Sequence, residues 1–303
     1  MKMTSNNALK KTALFLLPLI LSLTTVGSAE VTGPYFGQKP PGMEPEAFNL
    51  PPFPNQRGLG VFGNSGKEFF YTASDAAWNW SRIMTTHMSK DGTWTEPEVL
   101  PFSGTQIDWG VFLSPDGKKL FFGSGRPIQP PNPASWSLDI WMAERTEQGW
   151  SKAVKLPINS DTVSDYASPC AGNGNLYWSR HPGGIYRSSF INGAYTSPKR
   201  IPELGEGGSP FISPDERFIL FLNRPKMMIS FRNADDTWTT PRDLGPKIDN
   251  KMTMKGGDWP ALSPDGKYLI FCGSGYQNLY WVSAKVIEEA RAQVQHTGLQ
   301  LAP

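Results

Sequence analysis

Three short strings in this 303-residue chain share one pattern: Ser114-Pro115-Asp116-Gly117, Ser213-Pro214-Asp215-Glu216 and Ser263-Pro264-Asp265-Gly266. A hydrophobic run follows each, namely Lys119-Leu120-Phe121-Phe122, Phe218-Ile219-Leu220-Phe221 and Tyr268-Leu269-Ile270-Phe271. Proline presets φ at the second turn position, and Asp-Gly closes a tight turn that admits φ > 0. Between β-rich runs such a turn signals a hairpin. Its return at steps of about 50 residues is the mark of a β-propeller blade.

Two degenerate copies bring the blades to five. Ala171-Gly172-Asn173-Gly174 precedes Asn175-Leu176-Tyr177-Trp178, and Gly63-Asn64-Ser65-Gly66 precedes Glu68-Phe69-Phe70-Tyr71. An aromatic trails four of the units, at Trp94, Trp150, Tyr195 and Trp238. These are expected to start the outer strand, with the ring packed between blades. The fifth unit lacks the aromatic and passes from Leu279-Tyr280-Trp281-Val282 into a helix-prone run, Ala284 to Arg291. Its missing strand is expected from the other end of the chain, where Glu44-Pro45-Glu46 before Phe48 and Leu50 mimics Glu96-Pro97-Glu98 before Val99 and Leu100. Closing the ring this way removes exposed strand edges. The expectation is an all-β fold: a five-bladed β-propeller of four-stranded blades over residues 30–291, the last blade closed by an N-terminal strand, then a flexible tail at 292–303.

Residues 1–29 read as a cleaved secretory signal. Lys2, Lys10 and Lys11 form a charged start, Leu14 to Leu23 a short apolar run, and Gly27-Ser28-Ala29 offers small residues for cleavage. Such a run is too short to span a bilayer. A periplasmic or secreted protein with no membrane insertion after cleavage is therefore expected. A formal net charge of +2 makes no electrostatic case for nucleic acid. Eleven Trp and 17 Phe, with 30 Gly and 28 Pro, suit a turn-rich all-β chain. The three His are scattered, so neither a metal site nor any other cofactor is expected. Cys170 and Cys272 fall on strands of non-neighbouring blades, which disfavours a disulfide.

The S-P-D-G turn followed by an aromatic strand resembles the PD40, or WD40-like, repeat of TolB-type propellers. The segment Tyr35-Phe36-Gly37-Gln38-Lys39-Pro40-Pro41-Gly42 and the ending Leu279-Tyr280-Trp281-Val282-Ser283-Ala284-Lys285 are similar to those of secreted bacterial PD40 proteins. The resemblance implies a periplasmic or secreted propeller, with an envelope protein as one class of partner. TolB has an N-terminal domain without a counterpart in this sequence, so a Tol-system role does not carry over. Propellers host many activities, and the repeat speaks to fold rather than chemistry.

Antiparallel order places the start of each innermost strand beside the end of the second strand, with the S-P-D-G turns on the opposite face. The rule gathers Asp108-Trp109, Asp165-Tyr166, Glu206 and Asp258-Trp259 with Arg126, Arg180, His181 and Arg224 at one mouth of the channel. Loops add Trp78, Trp80, Trp136 and Tyr276. Aromatic faces stack on sugar rings, carboxylates accept from hydroxyls, and arginine grips an acidic group in bidentate fashion. The ligand-binding set is Trp109, Arg126, Tyr166, Arg180, His181, Arg224 and Trp259, for a glycan (an acidic sugar) or a peptide. The competing reading is structural, with each Arg bridging a carboxylate or capping carbonyls, and the aromatics packing blade to blade. Asp108, Asp165, Glu206 and Asp258 are the catalytic candidates should the mouth be a glycoside hydrolase or polysaccharide lyase, whose outcome depends on carboxylate spacing. A protein-interaction scaffold using the blade rims is the third alternative.

Overall fold

The computed structural model describes residues 31–51, 53, 55–104, 107–126, 137–166, 169–252, 259–273, 278–296 and 301–302. The signal-peptide expectation for residues 1–29 therefore lies outside the described residues, as do Trp136, Asp258 and Tyr276.

Five antiparallel sheets stand in a ring, making a five-bladed β-propeller. Blade 1 runs outward through Gln56–Phe62, Glu68–Ser74, Ser81–His87 and Glu98–Val99. Blade 2 follows with Asp108–Leu113, Lys119–Ser124, Asp139–Thr146 and Val154–Lys155, and blade 3 with Ser164–Tyr166, Leu176–His181, Gly184–Ser188 and Lys199–Arg200. Blade 4 comprises Gly208–Ile212, Phe218–Asn223, Lys226–Phe231 and Arg242–Asp243. Blade 5 takes Ala261–Leu262, Tyr268–Cys272 and Leu279–Ser283, and its fourth strand is Glu46–Ala47, with Glu46 opposite Trp281. The ring closes through the N-terminal strand, as expected.

The second strand of each blade has neighbours on both sides and a blade against each face, so its apolar residues run on without alternating. Leu120, Phe121, Phe122, Ile219, Leu220, Phe221, Leu269 and Phe271 are accordingly buried. The trailing aromatics differ from expectation in one respect. Gly149–Trp150 and Ala194–Tyr195 pair with the chain just before them, and Trp94 and Trp238 make single bridges to Met88 and Arg232. The outer strand starts only after them. Their packing is as expected: Trp238 lies among Tyr177, Ile185 and Phe221 of blades 3 and 4.

Turn chemistry explains the repeat. Ser114 Oγ donates to Asp116 Oδ1 at 2.6 Å and accepts from Lys119 N at 2.9 Å, while Lys118 N donates to the same Asp116 oxygen at 3.0 Å. Ser263 and Asp265 repeat this at 2.7, 3.0 and 3.2 Å. Partial burial works against ionisation of Asp116, but the Ser114 hydroxyl and Lys118 N–H outweigh it and hold the carboxyl below its usual range. Asp116 and Asp265 are turn formers held by their own loops, and Tyr35 adds a side-chain hydrogen bond to Asp265.

Behind blades 1 and 5 sits an aromatic wedge. Tyr35 and Phe36 both adopt left-handed φ, 51° and 57°. Phe36 packs against Trp94 at 4.6 Å and Phe69 at 5.3 Å between ring centroids, while Tyr35 meets Tyr268 and Trp281 at 5.6 and 5.7 Å. At the other end, the helix Lys285–Gln295 runs past the expected boundary at Arg291 because Val294 continues the apolar stripe of Ile287 and Ala290 against blade 4. Beyond it, Ala302 N donates to Arg232 O at 2.9 Å and Leu301 bridges Asn233. No described helix is long and apolar enough to cross a membrane.

Candidate functional site

Inner strands lose register at equivalent places: between Arg57 and Val61, Trp109 and Phe112, and Gly208 and Phe211. A bulge bends a strand and re-aims its side chains. Gly58, Gly110 and Ser209 occupy these stretches with φ of 66°, 65° and 49°, and Trp259, just before the inner strand of blade 5, has φ 46°. The two glycines serve geometry twice over. A Cβ at Gly58 would lie 3.2 Å from the Trp259 ring and 3.4 Å from the Trp109 ring, and one at Gly110 would lie 3.3 Å from Trp259.

The space so cleared holds indoles. Trp78 and Trp109 meet edge to face at 4.8 Å, and Trp109 and Trp259 meet at a tilt of 54° and 5.2 Å. Trp109 and Trp259 are buried, while Trp78, Trp80 and Tyr166 pack partly exposed against the same cluster. Trp78 also has left-handed φ, 59°, in a turn secured by Asp75, whose carboxylate accepts from Asn79 N at 2.7 Å and Asn79 Nδ2 at 2.8 Å. A bulky residue in that region costs about 1–3 kcal/mol and persists only where its surroundings hold it. Trp259 is 3 % exposed, and its indole N–H finds no acceptor among the described residues.

Two arginines face this aromatic row. The Arg57 guanidinium stands 6.0 Å from the Trp78 ring centre, and Arg82 stands 4.9 Å from that of Trp80. Arg57 otherwise makes a long hydrogen bond, 3.4 Å, to Gln56 O, and no carboxylate pairs with it among the described residues. Sequence reasoning missed both. Arg57 does not sit at the end of a second strand, where the repeat alignment looked for arginines.

The expected acids and arginines go elsewhere. Asp108 is 0 % exposed, taking Arg126 Nη2 on one oxygen at 2.7 Å and Ser103 Oγ on the other at 2.7 Å. Arg126 also donates to Ser124 Oγ at 2.8 Å and to Phe102 O at 3.2 Å. Asp165, again 0 % exposed, accepts from Arg180 Nε at 2.8 Å and Nη2 at 3.0 Å, from Trp178 Nε1 at 2.8 Å and from Ser160 N at 2.5 Å. Arg180 adds a bond to Ile158 O at 3.1 Å. Each pair thus ties the second strand, the inner strand and the loop arriving from the preceding outer strand into one junction. Asp165 accepts two bonds on each oxygen and Asp108 one on each, and neither carboxylate is exposed.

Glu206 stands apart, its side chain 77 % exposed and paired with Arg200 at 2.7 Å. His181 is exposed opposite Ser164 at the end of its strand. Arg224 is exposed just past its strand and is not free of partners. Trp109, Trp259 and Tyr166 come together; the ion pairs of blades 2 and 3 form separate clamps. No group of His, Cys, Asp and Glu among the described residues could hold a metal ion. Cys170 and Cys272 are both buried and are not joined by a disulfide.

One carboxylate was not anticipated at all. Glu216 occupies the glycine slot of the third turn, with φ 57°. It accepts from Asn173 and Asn175 at 2.9 Å each and from Tyr177 Oη at 2.6 Å, and Arg232 Nη1 lies 3.2 Å away. Burial pushes its carboxyl up, but the donors Tyr177, Asn175 and Asn173 and the charge of Arg187 prevail and hold it below the ordinary value of 4.5. It stitches blade 3 to blade 4.

No family model matches the chain, and no curated protein does. Solved structures do. TolB from Acinetobacter baumannii is 17% identical, with a TM-score of 0.49 over 75% of this chain and 51% of its own. An α-L-arabinofuranosidase from Lactobacillus brevis is 14% identical, with a TM-score of 0.49 over 75% of this chain and 86% of its own. A gluconolactonase from Xanthomonas campestris is 11% identical, with a TM-score of 0.46 over 75% and 85%. The chain spans about half the length of the Acinetobacter TolB. At such identities the likeness extends to the propeller fold and no further.

Proposed function

We propose that the chain is a periplasmic or secreted ligand-binding β-propeller that holds a glycan on its aromatic mouth. The observation that carries this reading is the continuous row Trp78–Trp109–Trp259, built on left-handed backbone at Trp78 and Trp259 and flanked by Arg57. Strained backbone that presents rings is a reason to look for function there. Trp109 and Trp259 are buried and back the row, so the indole face open to the C–H face of a pyranose is that of the partly exposed Trp78, beside Trp80 and Tyr166. Few polar groups among aromatic ones is the usual make-up of a small-ligand site. Arg57 supplies the charge for an acidic sugar's carboxylate. Binding without turnover is favoured because Asp108 and Asp165 are buried and each engaged by an arginine rather than open to a ligand. The leader-like pattern of residues 1–29 supports export.

A glycan array that includes uronic-acid oligosaccharides, probed with residues 30–303, tests the proposal. Binding that is lost in Trp78→Ala and Arg57→Ala is the expected result. Binding to no glycan, or binding unchanged in both variants, overturns it. Release of a cleaved product that stops in Asp258→Asn would make the mouth an enzyme instead.

A further inference from the structure

At the far end of the axis, on the face of the S-P-D-G turns, the propeller forms an open-mouthed pocket of about 290 Å³. Inner strands of four blades wall it with Val61, Phe112, Leu113, Phe211, Ala261 and Leu262, and prolines of the turns form its rim. The polar side chains that line it are already engaged. Ser263 Oγ donates to Asp265 and accepts from Tyr268 N; Asn64 Nδ2 donates to Pro115 O; Cys170 Sγ donates to Ala171 O at 3.2 Å. Even the rim carbonyl of Pro214 is taken, by Gly172 N at 2.7 Å. No lining residue is charged, since burial pushes the Cys170 thiol up to about 12 and keeps it protonated at neutral pH.

A ligand with polar groups would find few free partners to replace the water it loses. An apolar ligand loses nothing and gains about 25 cal/mol for each Å² it buries. An apolar cavity of about 150 Å³ already accepts benzene, so this one has room for two fused rings. We propose that the turn face carries a second binding site, separate from the aromatic mouth, for an uncharged, apolar molecule about the size of a bicyclic ring system. The two ends of one axis then take ligands of opposite chemistry.

The test titrates the intact protein with N-phenyl-1-naphthylamine, an uncharged fluorophore that brightens in apolar surroundings. Saturable brightening is expected in the parent protein and in Trp78→Ala. Ala261→Phe, which fills the cavity, should abolish it. Leu113→Gln alters a partly exposed lining residue and decides the matter should Ala261→Phe fail to fold; it should weaken binding about tenfold, the effect of one amide turned into an apolar site. Absence of saturable brightening overturns the proposal. So does brightening that Leu113→Gln leaves intact, or that Trp78→Ala removes, which would place the fluorophore at the mouth.

Discussion

The two ends of the propeller axis are built on different principles. At the turn face, local sequence and fold agree: serine, aspartate and glycine satisfy one another within four or five residues, and only Asp265 of the two S-P-D-G aspartates takes a distant partner as well, Tyr35. At the mouth, tryptophans sit on backbone that suits glycine, and aspartates are buried whole against arginines from the next strand. Local consistency gives a chain its fold, and departures from it gather where function or long-range junctions are at stake. Glu216 is the exception at the turn face, left-handed and buried, and there too the departure marks a junction between blades.

The largest expected effect tests that contrast directly. Asp165→Ala removes a fully buried carboxylate and strands Arg180, whose side chain is 16 % exposed. Urea unfolding should show a loss of about 3–5 kcal/mol. A loss below about 1 kcal/mol would mean the mouth clamps are incidental.

Glu216→Gln should come next, at about 2–3 kcal/mol, because a neutral amide cannot match Arg232 and three donors together. The effect depends on pH with a definite sign. The folded carboxyl lies below 4.5, so its contribution is complete above that value and is lost as pH falls through the lower folded value. The gap between parent and variant, followed by urea unfolding from pH 7 downward, should therefore close in acid. A constant gap would show that packing, not charge, holds the junction.

Asp116→Ala should lose only about 1 kcal/mol, the worth of an exposed local turn, as a shift in the urea midpoint. Trp78→Ala is predicted to change stability least, by less than about 1 kcal/mol, since it removes a partly exposed ring and leaves the cost of a left-handed residue as it was. Its effect should appear in glycan affinity. Should Trp78→Ala unfold the protein as readily as Asp165→Ala, the mouth aromatics are core and the contrast fails.

The repeat revealed the number of blades, the turn role of the aspartates and the strand that crosses from Glu46 to blade 5. Those features follow from short-range chemistry: a proline-aspartate turn and a buried apolar run look the same wherever they occur. It also placed Trp109, Tyr166 and Trp259 near one mouth, because antiparallel order fixes which strand ends share a face. Antiparallel order could not say which arginines stay free. Arg126 and Arg180 fit the pattern of ligand-binding residues as well as that of clamps, and only their 2.7–3.0 Å bonds to Asp108 and Asp165 distinguish the two.

Arg57, Glu216 and the turn-face cavity had no sequence signal. Arg57 faces Trp78 because a bulge shifts its strand, Glu216 is buried because blade 4 packs on blade 3, and the cavity exists because inner strands meet at a common axis. Turns and strands come from neighbours along the chain, so the residue pattern is enough to call for them. Charge pairing, burial and empty space arise between residues far apart in sequence, and only the packed ring brings those residues within reach.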